Sequence, residues 1–191
     1  MRYQICLSGA AKGKSVEEGK DLAFAMGEAL AQDKHTLLTG ATTGLPYYAA
    51  KGAKQAGGQS IGLSPAASRI AHVRKYRLPL DAYDAVLFTG LRYVGRDNLL
   101  VGCAEAVIIV GGRIGTTHEF TVALESDKPV AILKGAGGTS DMFKDLLKTA
   151  GKDPGQLIIE TDPHVLLRHL EKALNRKYQH LHSQNDQTSL G

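Results

Sequence analysis

Along the chain, apolar residues gather in short unbroken blocks, and between the blocks they recur at helical spacing. The first block covers residues 3–7 and closes on Ser8, Gly9 and Ala10, small residues that mark the passage from a buried strand into a loop. From Ser15 the spacing changes. Leu22, Met26, Ala29 and Leu30 fall on one helical face, and Ser15 with Glu18 has the spacing of a capping box. Residues 36–39 read as a second strand, ended by Gly40. A helix follows from Leu45, with Pro46 tolerated in its first turn and Gly57-Gly58 as its stop, and residues 59–63 form a third strand. The segment 64–82 carries mixed signals and the prolines Pro65 and Pro79, which predicts an irregular connection with room for one short helix.

Beyond that segment the pattern predicts strands over 85–89, 106–110, 130–133 and 157–159, and helices over 96–104, 116–125, 141–149 and 163–174. The block 106–110 is so apolar that both of its faces must be covered. Strands of this kind alternating with helices imply an α/β fold, a mostly parallel sheet with helices on both faces, because parallel crossovers place helices there. A single domain over residues 1–174 accounts for the alternation, with no internal repeat. Residues 175–191 are polar and aperiodic and are expected to form a flexible tail that the fold does not need.

Composition narrows the function classes. No apolar run approaches the roughly 18 residues of a membrane span, and the N-terminus lacks the apolar core and cleavage site of a signal peptide, so a cytoplasmic protein is expected. The net charge is +4, part of it between Arg69 and Arg77, where Tyr76 is the only interleaved aromatic. That stretch fits a solvated loop better than a nucleic-acid-binding stripe. Cys6 and Cys103 both sit in apolar sequence, as reduced core thiols do. No metal site is expected. His118-Glu119 lacks the second histidine four residues after the first that a zincin helix needs, and His180 with His182 lies in the polar tail.

In such a sheet ligands bind at the carboxyl ends of the strands. Three segments there are rich in Gly, Ser or Thr: Ser8-Gly9-Ala10, Gly40-Ala41-Thr42-Thr43-Gly44, and Gly111-Gly112-Arg113-Ile114-Gly115-Thr116. The second and third also open helices, whose unpaired amides favour a phosphate. A nucleotide-like ligand is the natural guest. Gly9-Ala10-Ala11-Lys12-Gly13-Lys14-Ser15 is one residue too short between its glycines for a P-loop, and the sequence holds neither G-x-G-x-x-G after the first strand nor a G-x-S-x-G elbow.

The strongest constellation runs from Gly111 through Gly112, Arg113, Ile114, Gly115, Thr116, Thr117 and His118 to Glu119, with Arg96 one helix upstream. Here the sequence resembles the LONELY GUY (LOG) family, often labelled lysine decarboxylases, which carry P-G-G-x-G-T-x-x-E and an Arg-Lys pair at the start of the preceding helix. Gly44-Leu45 after Gly40 is similar to that family's first glycine-rich loop. The resemblance covers residues 3–133 by pattern. It implies a modified Rossmann fold, a homodimer or homotetramer, and hydrolysis of the bond between base and ribose 5′-phosphate in a nucleoside 5′-monophosphate, with no resident cofactor. Its divergent members include a molybdenum-cofactor carrier, so the alternative is a non-enzymatic carrier or sensor of a nucleotide or molybdopterin-type cofactor on the same loops. Gly111 stands in place of the family's proline, Arg113 in place of its second glycine and Asp97 in place of its lysine.

The residues of this constellation divide into roles. Arg96 and Glu119 are the catalytic candidates, because a glycosidic bond that breaks through an oxocarbenium-like state needs a carboxylate nearby. Ser8, Gly9, Gly40, Thr42, Thr43, Gly44, Gly112, Arg113, Gly115 and Thr116 are the candidates for holding phosphate and nucleotide. The structural alternatives are local. Thr116 with Glu119 has capping-box spacing, Thr42 and Thr43 suit helix caps, His118 suits a helix surface, and Arg96 stands at an expected helix start, where its charge opposes the dipole unless an anion binds.

Overall fold

The computed structural model describes residues 2–188. Its strands are β1 (Gln4–Gly9), β2 (Thr36–Thr39), β3 (Gln59–Ser64), β4 (Ala85–Phe88), β5 (Ala106–Val110), β6 (Val130–Leu133) and β7 (Ile158–Glu160). Between and after them run helices α1 (Lys14–Gln32), α2 (Leu45–Gln55), α3 (Arg92–Cys103), α4 (Ile114–Glu125), α5 (Phe143–Thr149) and α6 (Pro163–Thr188). All seven strands pair in parallel in the order β4-β3-β2-β1-β5-β6-β7, which is the doubly wound, Rossmann-like α/β fold that the alternation implies.

The strand side chains alternate between two cores. Ile5, Leu7, Leu37, Ile108, Val110 and Leu133 pack with α1, α2 and α6, whereas Cys6, Leu38, Leu63, Val107, Ile109 and Ile132 pack with α3, α4 and α5. Two-sided burial explains why these strands read as continuous apolar blocks. On the second face Phe120 of α4 stacks on Phe143 of α5 with ring centroids 3.9 Å apart and planes 5° from parallel, which fixes the rotation of α4 about its axis.

Several local expectations are corrected by the structure. Ser8 and Gly9 belong to β1, in register with Ile109 and Val110 of β5, and not to a loop. The Ser15–Glu18 capping box does not form; Gly13 precedes α1 without a side-chain cap, and Glu18 pairs with Lys14 one turn back, 3.2 Å away. Cys6 is buried, but Cys103 at the end of α3 is exposed. The stretch from Arg69 to Arg77 is a short helical turn pinned by buried His72, whose ring faces Ser64 Oγ at 2.8 Å and the Pro79 carbonyl at 3.0 Å.

The largest difference concerns the end of the chain. Helix α6 does not stop at Leu174 but continues to Thr188, and its extension docks on the domain. Tyr3 donates a 2.6 Å hydrogen bond to Asn175, Tyr178 packs beside the Tyr3 ring, and Lys177 reaches Asp127 Oδ2 at 3.0 Å. Leu174, Tyr178 and Leu181 stand at i, i+4 and i+7 in the sequence, so an apolar stripe runs on past Leu174 among polar neighbours. The remainder of the expected tail, residues 189–191, lies outside the described residues.

Candidate functional site

The strand order changes direction between β1 and β5, so the connections leaving these two strands diverge to opposite faces and open a crevice at their carboxyl ends. Across it Ser8 Oγ donates a hydrogen bond to Glu119 Oε2, and both residues are buried. Above this pair lies a cleft of about 300 Å³. Ser8, Gly9, Gly40, Thr42, Arg96, Arg113, Gly115, Thr116 and Glu119, all singled out from the sequence, line it.

Thr43, Gly44 and Gly112 do not line the cleft; they shape the loops that do. Thr43 Oγ1 donates to the Ala11 carbonyl at 3.0 Å, which ties the β2–α2 loop to the β1–α1 loop. Gly112 has φ +131°, and a Cβ there would stand 2.7 Å from Thr116 Cγ2, so the turn into α4 requires glycine.

The start of α4 overturns the capping reading of Thr116 and Glu119. The residue preceding the helix is Arg113, extended at φ −141° and making no side-chain cap, and Thr116 is already the third residue of the helix. Thr116 and Glu119 are therefore free to face the cleft. Among the described residues the amides of Ile114, Gly115 and Thr116 have no acceptor, as expected for an uncapped first turn. Their N–H groups and the positive end of the helix converge at the mouth of the cleft beside Arg113.

Helix α3 begins at Arg92, one turn earlier than expected, so Arg96 lies in its second turn and has no conflict with the dipole. Its guanidinium is buried, donates through Nη1 to the Leu63 carbonyl at 3.4 Å, and lies 5.9 Å from the centre of the Tyr93 ring. Arg96 Nε is 3.2 Å from Asp97 Oδ1, near enough for an ion pair but outside hydrogen-bond geometry. Among the described residues it is a buried side-chain nitrogen without a hydrogen-bond partner.

A model of the SLOG cluster4 family matches residues 2–167. The chain belongs to the SLOG cluster4 family. An uncharacterized protein of Archaeoglobus fulgidus is 35% identical over 131 residues, which is 69% of this chain and 80% of that protein. Among solved structures, the molybdenum cofactor binding protein from the phototrophic bacterium Rippkaea orientalis is similar at a TM-score of 0.74 and 25% identity, over 91% of this chain and 98% of that one. The Moco carrier protein from Chlamydomonas reinhardtii is similar at a TM-score of 0.74 and 29% identity, over 93% and 99% of the two chains. The resemblance read from residues 96–119 holds at the level of this LOG-like, SLOG fold.

In this SLOG cluster4 protein the charges of the site are interlocked. Asp97 sits between Arg96 and His118, with His118 Nδ1 3.0 Å from Asp97 Oδ2, so His118 is a half-buried partner of the site and not a plain surface residue. Burial pushes the Glu119 carboxyl up to about 7; the neighbouring Asp97 charge adds to the rise, and Arg96 with the Ser8 hydroxyl opposes it. Burial, reinforced by Glu119, also holds the Cys6 thiol well above its usual range, so Cys6 stays a neutral core group.

Sequence reasoning singled out neither Tyr93 nor Lys12 as site residues, and noted Asp97 only as a departure from the family pattern. All three line the cleft. Tyr93 lies one turn before Arg96, so the signal that could have found it is the i, i+3 spacing on α3. Lys12 lies within the glycine loop that is one residue too short for a P-loop. It still brings its charge to the same mouth.

Proposed function

We propose that the cleft binds a phosphorylated heterocycle, a nucleoside 5′-monophosphate or a molybdopterin-type cofactor, and that the protein carries or senses this ligand without turning it over. The observation that carries the reading is that the buried Arg96 lines the same cleft as the first turn of α4, whose three amides are unpaired. Unpaired amides at a helix start beside a guanidinium favour an anion in the cleft. Lys12 and Arg113 supply the remaining positive charge at the mouth, and a guanidinium can grip a phosphate through two parallel hydrogen bonds. The Tyr93 ring at the rim offers a surface on which a flat heterocycle stacks.

The likeness to two molybdenum-cofactor proteins over more than nine-tenths of their length supports a carrier. So does Asp97. Where the LOG pattern has a lysine, an aspartate neutralises Arg96 and leans on Glu119, which keeps the Glu119 carboxyl from being firmly ionised.

Hydrolysis is the second reading, favoured by one observation: a buried carboxyl at the cleft floor that titrates at about 7 is suited to general acid–base work. In that case Glu119 would take a proton from water as the water attacks C1′ of the ribose and the bond to the base breaks, and would return that proton to the departing base. One experiment separates the two. The protein is mixed with molybdopterin and with a panel of nucleoside 5′-monophosphates, bound ligand is measured by equilibrium dialysis, and the solutions are chromatographed for free base. Retention without free base is the expected result. Release of base would establish the hydrolase, and no retention of any phosphorylated ligand would overturn both readings.

A further inference from the structure

A second cleft, of about 370 Å³, adjoins the candidate site, and Lys12 and Arg113 line both. Its remaining walls are the start of α1, with Lys14, Ser15 and Glu18, and the pair Gly137-Gly138 between β6 and α5. This β6–α5 segment is a fourth glycine-rich loop, and it closes directly on the turn into α4. Thr139 donates from its amide to the Gly112 carbonyl and from Oγ1 to the Arg113 carbonyl, each at 3.2 Å. Gly138 has φ +83°, and a Cβ there would stand 2.5 Å from the Gly112 carbonyl oxygen and 2.7 Å from Ser15 Oγ. Only glycine lets these three segments meet, so the second cleft is built onto the α4 turn by loops that hold one another in place.

The charge of the second cleft is uncompensated. Glu18 is the one carboxylate in its lining, and Lys14 takes it at 3.2 Å. Among the described residues Lys12 and Arg113 have no ion-pair partner. Lys12 and Lys14 stand at the uncapped start of α1, where their charges oppose the helix dipole unless an anion lies between them. The main cleft alone, at about 300 Å³, is at the lower limit for ligand pockets, roughly 300–1,000 Å³, and the second gives room for a longer ligand. We infer that the ligand of this site carries a diphosphate, its first phosphoryl group at the opening turn of α4 and its second in the adjoining cleft between α1 and the β6–α5 loop. The inference rests on the reading of the main cleft as a phosphate-binding site and extends that ligand by one phosphoryl group. Two phosphoryl groups joined through one oxygen place their charges side by side, and Arg113 and Lys12 stand where the two clefts meet. A guanidinium fork spans such a pair of oxygens with parallel hydrogen bonds.

Equilibrium dialysis of the full chain, without added divalent cation, compares AMP, ADP, adenosine 3′,5′-bisphosphate and diadenosine diphosphate. ADP should bind about tenfold tighter than AMP, whereas the bisphosphate, whose second phosphate is not joined to the first, should show no such gain. Lys14→Ala should reduce the ADP preference to about threefold with an unchanged melting curve, since a lysine that opposes the dipole does not hold α1 together. Lys20→Ala, which removes a charge from α1 outside both clefts, should keep the full preference. Diadenosine diphosphate separates the two sources of this chemistry: tighter binding than ADP assigns a diphosphate that bridges to a second group, and weaker binding assigns a terminal one. ADP held no tighter than AMP would overturn the inference and leave the phosphate-binding reading intact. An equal gain from the bisphosphate would overturn it as well, since the effect would then be one of net charge, and so would a full ADP preference in Lys14→Ala. If neither AMP nor ADP is retained, the phosphate-binding reading falls and the inference with it.

Discussion

Gly40 lies directly against the guanidinium of Arg96: a Cβ built at residue 40 would stand 1.6 Å from Nη1. The arginine can cross the end of β2 and reach the Leu63 carbonyl only because residue 40 has no side chain. Gly40→Ala should therefore expel the guanidinium from its buried position, weaken binding of a phosphorylated ligand by roughly tenfold through loss of a charge-assisted contact, and lower the melting temperature by a few degrees. Parallel melting curves and AMP titrations of variant and wild type check it. Wild-type affinity in the variant would show that Arg96 does not contact the ligand.

Truncation after Leu174 removes Asn175, Lys177 and Tyr178, and with them the partners of Tyr3 and Asp127. The lost hydrogen bond and ring contact should cost about 2 kcal/mol, which lowers the melting temperature of a domain of this size by roughly 4–8 °C. The sharper comparison is Tyr178→Ala in the full chain, which should lose a substantial part of the same stability. A truncated protein that melts with the wild type would mean that the end of α6 contributes nothing.

The raised Glu119 carboxyl has a signed effect on stability. The folded protein holds a proton that the unfolded chain releases from about 4.5 upwards, so the folded state binds more protons between about 4.5 and 7. Stability derived from this group is present at low pH and is lost as the pH rises through about 7. Glutamine mimics the neutral acid. Glu119→Gln should accordingly gain melting temperature relative to the wild type at pH 8, and the difference should close towards pH 5. A difference that does not vary with pH would mean that Glu119 is ionised throughout.

Arg113 occupies a backbone conformation open to any residue, and its side chain is exposed at the mouth of the cleft. Arg113→Gly restores the glycine of the LOG pattern without relieving strain, so the change should act through charge alone. Affinity for AMP should fall by about 3–10-fold and become less sensitive to salt, with an unchanged melting temperature. Tighter binding in the variant would show that the arginine obstructs the cleft.

Apolar side chains on the α3 face suit the homo-oligomer that the resemblance to the LOG family implies. Leu87 on edge strand β4 and Leu91, Val94 and Leu99 on or beside α3 are exposed in the single chain. Sedimentation at micromolar concentration should show a species larger than 20.4 kDa, and Val94→Asp should reduce it. A wild type that sediments only as the single chain would refute the assembly.

The alternation of strands and helices, the parallel sheet covered on two faces and the glycine-rich segments at one edge are all legible along the chain. Each of these is written locally, in the two-sided apolar blocks such as 106–110, in helical spacing such as Leu22, Met26, Ala29 and Leu30, and in small residues where the chain turns. Helix starts were misplaced by local motifs. Ser15 with Glu18 and Thr116 with Glu119 have capping spacing but do not cap, because a chain emerging from a buried parallel strand enters its helix where the sheet edge allows. Which distant residues share one environment follows from the packing of the folded chain. Ser8 and Glu119 are 111 positions apart and meet because the strand order places β1 beside β5. Tyr3 and Asn175 are 172 apart and meet because α6 returns across the start of the sheet. The charge state of Glu119 was equally beyond local reading, since it follows from burial and from the company of Asp97 and Arg96, and the cost of holding a charge depends on what surrounds it in space.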